Sequence, residues 1–318
     1  MTKRLFVHVG TEKTGTTFIQ DFIAHHKREL KREGLMFFDA GTESNHHYWL
    51  AKALGFRFAP TPVDEKKEQQ ALSDCRAFLK KHPDEDFLLT SEHFDFNPNP
   101  ENIKAFADFF AGYEINIVIF LRDQVSYCQS LYAEHIKWGG VLDFSEFIKR
   151  TIKQGRYSYL EKYQSWEQFA DHVIVVDYNA VRNNLLPAFL EAIGFEYSEF
   201  TDSRGTSKIN PTPSMDFLNV VRLLNNGVCK SERRQFYIDL LKLVTQKHPQ
   251  LLERHDITLP LKFKTFFEQE LHKNSHLATL LDRDPEDFLG PMPDDNLYQP
   301  ESKGQDLERI LRQLIFSS

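Results

Sequence analysis

Cysteine is scarce. The chain has three, Cys75, Cys128 and Cys229, in 318 residues. An odd count without close spacing excludes a disulfide framework and a cysteine-built zinc site, and fits a reducing, cytoplasmic setting. Long apolar runs are also missing: none approaches the about 20 residues that a membrane-spanning helix needs. The opening MTKRLFVHVG has only a short apolar stretch that runs straight into a glycine, the pattern of a first strand and not of a signal peptide. That leaves only peripheral association with a membrane open. Positive charge is not in excess either. Lys and Arg number 39 against 46 Asp and Glu, a formal net charge of −7, so nothing favours nucleic acid or an anionic membrane as partner. A small anion is still compatible with this balance, because one pocket of an acidic protein can be positive. No repeat and no low-complexity tract is visible. What is plentiful is phenylalanine, 28 residues, which a chain of this length needs mainly to fill its core.

Hydrophobic periodicity gives an alternation of strands and helices. Apolar strands are expected at 5–9, 35–38, 87–90, 115–121 and 173–176. Helices are expected at 16–31, 63–81, 101–111, 126–138, 143–153, 157–170 and from 178 to 193. The stretch 40–62 looks irregular and carries a polar and aromatic cluster, Asn45 to Trp49. Strands that alternate with helices predict an α/β fold, a three-layer, P-loop-like parallel sheet flanked by helices. After about residue 200 the composition changes. A polar loop at 201–213 precedes helices at 214–226, 231–247, 264–282 and 305–316. The expectation is one domain over 1–318: an α/β core to residue 200, then a loop and a helical C-terminal extension.

The most informative segment is the loop after the first strand, Gly10-Thr11-Glu12-Lys13-Thr14-Gly15-Thr16-Thr17. A strand, a glycine loop and a helix N-terminus form an anion-binding device, since the first N–H groups of the helix point outward and its dipole favours negative charge. The glycine spacing matches the triphosphate loop G-x-x-x-x-G-K-[ST], and Thr17 stands at the hydroxyl position. Thr16, however, occupies the place of the lysine, and the loop's lysine is Lys13, two residues before the second glycine. The usual triphosphate cradle is therefore altered. A second constellation follows the strand at 115–121: Arg122 at its end and Ser130 eight residues later on the next helix. A planar guanidinium suits phosphate because it can bind two oxygens at once.

Lys13-Thr14-Gly15-Thr16-Thr17 resembles the 5′-phosphosulfate loop of the sulfotransferases that use 3′-phosphoadenosine 5′-phosphosulfate (PAPS), and Arg122 with Ser130 resembles the pair with which that family holds the 3′-phosphate. A weaker likeness extends to Val175-Val176-Asp177-Tyr178 and to the helix end Phe189-Leu190-Glu191-Ala192-Ile193-Gly194. The resemblance implies PAPS as cosubstrate, 3′,5′-ADP as product, no metal, and a small-molecule or carbohydrate acceptor. It implies donor contacts from Lys13, Thr14, Gly15, Thr16, Thr17, Arg122 and Ser130, with Tyr178 near the adenine. Arg204 and Lys208 lie in a polar loop that corresponds to the family's nucleotide-covering loop but departs from its Arg-Lys-Gly pattern.

Lys13 is the catalytic cation of this scheme. The base is expected at the end of a strand beside the first, where Ser91-Glu92-His93 stands; the family uses either Glu or His there. On an extended segment these two side chains point apart, so one of them faces the acceptor, with Glu92 preferred over His93. His46 and His47 are reserves. Ser126 is expected to cap its helix. Tyr132, Glu134, His135, Lys137 and Trp138, with residues 45–49, are candidates for an acceptor pocket. The rival is a P-loop kinase or NTPase with Asp177 as its metal-binding carboxylate. A non-catalytic nucleotide-binding protein on the same scaffold is the other class.

Overall fold

The computed structural model describes residues 2–57, 63–196, 213–247, 249–252, 258–290 and 298–299. Along the chain they form β1 (Lys3–Gly10), α1 (Thr16–His25), α2 (Lys27–Arg32), β2 (Leu35–Phe37), α3 (Tyr48–Ala53), α4 (Glu65–Lys81), β3 (Asp86–Thr90), α5 (Pro100–Phe109) and β4 (Tyr113–Leu121). There follow α6 (Gln124–Lys137), α7 (Phe144–Lys153), α8 (Tyr159–Glu167), β5 (His172–Asp177), α9 (Tyr178–Val181), α10 (Leu185–Ala192), α11 (Met215–Asn225), α12 (Arg233–Lys247), β6 (Leu259–Pro260), α13 (Lys264–Leu280) and β7 (Tyr298–Gln299). The fold is the expected α/β one, with a five-stranded parallel sheet in the order β2-β3-β1-β4-β5.

The long helix expected at 16–31 is two helices. At the junction the His26 ring nitrogen Nδ1 lies 3.0 Å from the carbonyl of Phe22, and a side chain there competes with continuation of the backbone ladder. The segment 40–62 is less irregular than its composition suggests, since α3 lies within it.

The chain groups into two compact units. One comprises Met1–Arg122, Ser158–Ser207 and Lys273–Gly290; the other comprises Asp123–Tyr157, Lys208–His272 and Pro291–Ser318. These boundaries differ from the composition change near residue 200. The first unit holds the parallel sheet, covered on both faces as parallel sheets require. Alternation along β1 sends Phe6 and His8 to one face and Leu5, Val7 and Val9 to the other. On the first face Phe6, Leu88, Val118 and Phe120 meet Ile19, Phe22 and Ile23 of α1 and Leu186, Phe189 and Leu190 of α10. The second face is aromatic: Phe87 meets Phe38 and Phe78, while Phe94 and Phe106 contact Phe56, and Trp166 of α8 stacks on Phe56 with ring centroids 5.7 Å apart. Phenylalanine fills the core as its abundance suggests.

Residues of the 273–290 segment lie along the outer side of β5. Arg283 donates to the carbonyl of Val175 at 2.6 Å, and the Leu289 N–H donates to Asp177 at 2.8 Å. In the second unit α6 is held by Asn225 of α11, whose side-chain amide donates to the carbonyls of Ile136 and Gly140. Tyr132 belongs to that unit's core, and its hydroxyl donates to the Leu142 carbonyl. Trp138 is 59% exposed with the Arg234 guanidinium over its ring. Among the described residues no helix is long and apolar enough to cross a membrane.

One ion pair anchors the turn after β3. Lys162 of α8 reaches both oxygens of Asp95 at 2.8 Å, with side chains 6% and 3% exposed. Removing one member of a buried pair leaves the other charge uncompensated. Lys162→Ala is expected to cost about 3–5 kcal/mol of stability, read from urea unfolding.

Candidate active site

The carboxyl ends of parallel strands all open on one edge of the sheet, and a ligand site forms where the strand order reverses. Here the reversal falls beside β1, whose neighbours are β3 and β4. The register aligns His8 with Thr90 and Val7 with Ile117, so the loop after β1 emerges between the ends of both neighbours.

That loop is pinned on the β4 side. Thr11 donates to the Phe120 carbonyl through its backbone N–H at 2.9 Å and through its hydroxyl at 3.2 Å. Thr14, fully buried, donates its hydroxyl to the Thr11 carbonyl at 2.6 Å, so this hydroxyl braces the loop from within. Lys13 and Gly15 both have left-handed backbones, φ 66° and 80°, and that conformation is costly for a side chain such as that of Lys13. Gly15 caps α1 and has no side chain to do it with; its carbonyl accepts from the N–H groups of Phe18 and Ile19. Thr16 is buried and Thr17 exposed at the start of α1.

Arg122, at the end of β4, donates to the Lys13 carbonyl at 3.2 Å, and its guanidinium lies 5.6 Å from the ring centre of Tyr178. The Arg122 carbonyl accepts from the Tyr159 hydroxyl at 2.6 Å. Lys13, Arg122 and Tyr178 are thus brought together, and Tyr178 also packs on the sheet core. Ser130 is buried on α6, in the second unit. Ser126 does not cap that helix. The cap is Asp123, which accepts from the Ser126 N–H at 2.8 Å and from its hydroxyl. Arg204 and Lys208 lie outside the described residues.

On the β3 side the loop meets Glu92. A Cβ built on Gly10, whose φ is +101°, would stand 3.3 Å from Glu92 Cα and Cβ and 3.1 Å from the Glu12 amide nitrogen. The segment after β3 is not extended, as the strand-like pattern suggests, but coils into a 3₁₀ turn over Glu92–Asp95, capped by the Ser91 hydroxyl. Glu92 and His93 therefore do not diverge. One ligating atom from each of His46, Glu92 and His93 lies within 4.8 Å of the others, and all three residues are half-buried. The His46 and His93 rings are parallel to 8°, with centroids 5.5 Å apart. Tyr48 sets its ring edge-on to both.

His47 is excluded as a base. It is fully buried between backbone groups, with Nε2 2.6 Å from the Phe38 carbonyl and Nδ1 3.1 Å from the Thr90 nitrogen. Burial pulls its pKa down to about 4, which keeps the ring neutral.

Two residues escaped sequence reasoning. Gln20 of α1 donates to Glu92 Oε2 at 2.8 Å. Its signal was a polar side chain on the buried side of an amphipathic helix. His8 lies in β1 beneath the site, fully buried, with Nδ1 2.9 Å from the Thr90 hydroxyl and Nε2 without a hydrogen-bond partner. Burial lowers its pKa to about 4, although Glu92 acts in the other direction.

Burial works against the ionisation of Glu92, but the hydrogen bond from its own backbone N–H, the nearby His46 and His93, and the Gln20 amide together outweigh it. The net effect holds the carboxyl below the usual carboxylate range, so Glu92 is an anion at neutral pH. Asp177, by contrast, is occupied in structural bonds. It caps α9 by accepting from the N–H groups of Asn179 and Ala180, and its second oxygen accepts from Leu289.

No protein-family model matches the chain, and neither does any curated protein.

Gly10→Ala is expected to lower stability by about 1–3 kcal/mol, from backbone strain plus contact with Glu92, seen as a reduced thermal midpoint. Carboxyl-detected NMR titration should find Glu92 ionising at lower pH than a free glutamate. Gln20→Leu should move that titration upward, because it removes a donor that stabilises the anion.

Proposed function

We propose that the chain is a PAPS-dependent sulfotransferase acting on a hydroxyl or amine of a small-molecule or carbohydrate acceptor. One observation carries this: the glycine loop that carries Lys13 takes a hydrogen bond from Arg122 at the end of β4 through the Lys13 carbonyl and lies at Gly10 against Glu92 just after β3. An anionic donor and a proton acceptor are both served at the same strand ends.

In the transfer, the acceptor oxygen or nitrogen forms a bond to sulfur while the bond from sulfur to the bridging phosphate oxygen breaks, giving a sulfated acceptor and 3′,5′-ADP. Glu92 takes the proton released by the acceptor. Lys13 neutralises charge growing on the leaving oxygen, and the N–H groups at the start of α1 serve the phosphosulfate oxygens. Arg122 supplies a planar fork for phosphate, as in the motif that the Arg122 and Ser130 spacing resembles. A lowered carboxylate pKa makes Glu92 a weak base but one that is fully ionised wherever the protein works. Gln20 fixes its orientation.

A kinase would need a carboxylate free for magnesium beside the phosphate loop. Asp177 is engaged in three hydrogen bonds from backbone N–H groups, and β5 is separated from β1 by β4.

The thermal midpoint is expected to rise by several degrees with 3′,5′-ADP and by less with 5′-AMP. Arg122→Ala should erase that difference. A shift with magnesium-ATP and none with 3′,5′-ADP would reverse the assignment in favour of the kinase. With labelled PAPS and an acceptor panel, Lys13→Ala and Glu92→Gln should each cut turnover by about 10²–10⁴-fold, Lys13→Ala weakening nucleotide binding only modestly. The acid limb of the wild-type pH–rate profile should lie below the ordinary glutamate range, since transfer persists until Glu92 is protonated. Gln20→Leu should shift it to higher pH.

A further inference from the structure

We infer that His46, Glu92 and His93 form a binding site for a divalent transition-metal ion of the zinc class. Nothing in the chain's local pattern points to it, because His46 lies far from the other two in sequence and reaches them only through the turn before α3. Two imidazoles and one carboxylate are the donor set that suits zinc and its neighbours, whereas magnesium and calcium prefer all-oxygen surroundings.

The geometry is close to what a cation requires. In a tetrahedral zinc site with bonds of about 2.0–2.1 Å, donor atoms sit about 3.4 Å apart. Here they already lie within 4.8 Å of one another before any side-chain adjustment. The supporting contacts are those that steady metal ligands. Gln20 holds one oxygen of Glu92 at 2.8 Å. The buried Ser91 hydroxyl lies 3.4 Å from Nδ1 of both His46 and His93. Tyr48 packs against both rings, and Phe96 packs against His93. Three protein ligands leave room in the coordination sphere, the arrangement of an open site and not of a closed structural one. One carboxylate against a dication leaves a net positive charge at the end of β3, next to a loop built for anions.

The site goes beyond the transfer proposed above and does not rest on it. The two share Glu92 and its partner Gln20, so a bound cation and an acceptor's proton compete for the same carboxylate.

Isothermal titration of the full chain, stripped with chelator and free of nucleotide, is expected to show one equivalent of Zn²⁺ bound at micromolar or tighter affinity. Excess Mg²⁺ should not displace it. Cobalt(II) should give the visible absorption of a low-coordinate nitrogen and oxygen site. His46→Ala and His93→Ala should each weaken Zn²⁺ binding at least tenfold. Glu92→Gln, which keeps the shape of the side chain, should do the same should a histidine variant fail to fold. His172→Ala, removing an exposed imidazole at the start of β5, should leave binding unchanged. Absence of saturable Zn²⁺ binding, or equal binding by the wild type and the three ligand variants, would overturn the inference. Because no donor or acceptor is present, a chain that binds Zn²⁺ without transferring sulfate refutes only the transferase assignment, and the converse result refutes only the metal site.

Discussion

A methyl group at position 10 would press on the backbone of Glu92 and on the amide of Glu12, and the site exists because glycine stands there. β1 is the centre of the sheet, so its loop must leave between two strand ends that are only one strand spacing away on either side. Thr11 ties the loop to β4 through the Phe120 carbonyl, and Gly10 lets it lie against the first residues after β3. Loosening either contact would separate Glu92 from the glycine loop. The passage takes positive φ values at Gly10, Lys13 and Gly15 within six residues, free of steric cost at the two glycines and costly at Lys13.

Electrostatics at the strand ends follow from the same crowding. Glu92 is buried enough to be penalised as an anion, yet its own turn, Gln20 and two imidazoles supply more stabilisation than burial removes. His8 and His47 are fully buried, and for both burial outweighs the neighbours that favour the charged ring, Glu92 for His8 and the Thr90 and Phe38 backbone for His47, so both are held neutral. The polar side chains nearest the Glu92 carboxylate, Gln20, His46 and His93, therefore stabilise its anion, while His8 and His47 are buried as neutral rings that hydrogen-bond to Thr90.

Much of the fold was legible because periodicity reports burial. The strand at 115–121 is apolar apart from Asn116, that at 173–176 is an uninterrupted apolar run, and both belong to the parallel sheet. The glycine loop was legible because left-handed turns admit few residues. What escaped was set by tertiary contact. The break at His26 depends on a ring nitrogen reaching a carbonyl one turn back, which no hydropathy pattern encodes. Glu92 and His93 converge because Ser91 starts a 3₁₀ turn, whereas the apolar run before them suggested a strand that continued. His46 and His47 are adjacent and chemically identical, yet one faces the site and the other is clamped between Phe38 and Thr90. Only the path of the chain before α3 distinguishes them. Asp177 looked like a metal ligand because it ends an apolar strand, and its true partners, the amides of α9 and Leu289, come partly from a segment more than a hundred residues later.

The contacts of Arg283 and Leu289 with β5 bear on self-association. A strand at the rim of a sheet offers unpaired backbone groups to any other extended chain. At one rim β2 has only three residues, too short to template much pairing. At the other, the Val175 carbonyl of β5 is taken by the Arg283 guanidinium, and the Leu289 amide holds the same segment against the Asp177 side chain, so part of this edge is covered by the protein's own chain. Shortened forms that lack this segment would retain the central sheet but present an open lateral edge, and fibrillar or amorphous deposition would then compete with folding.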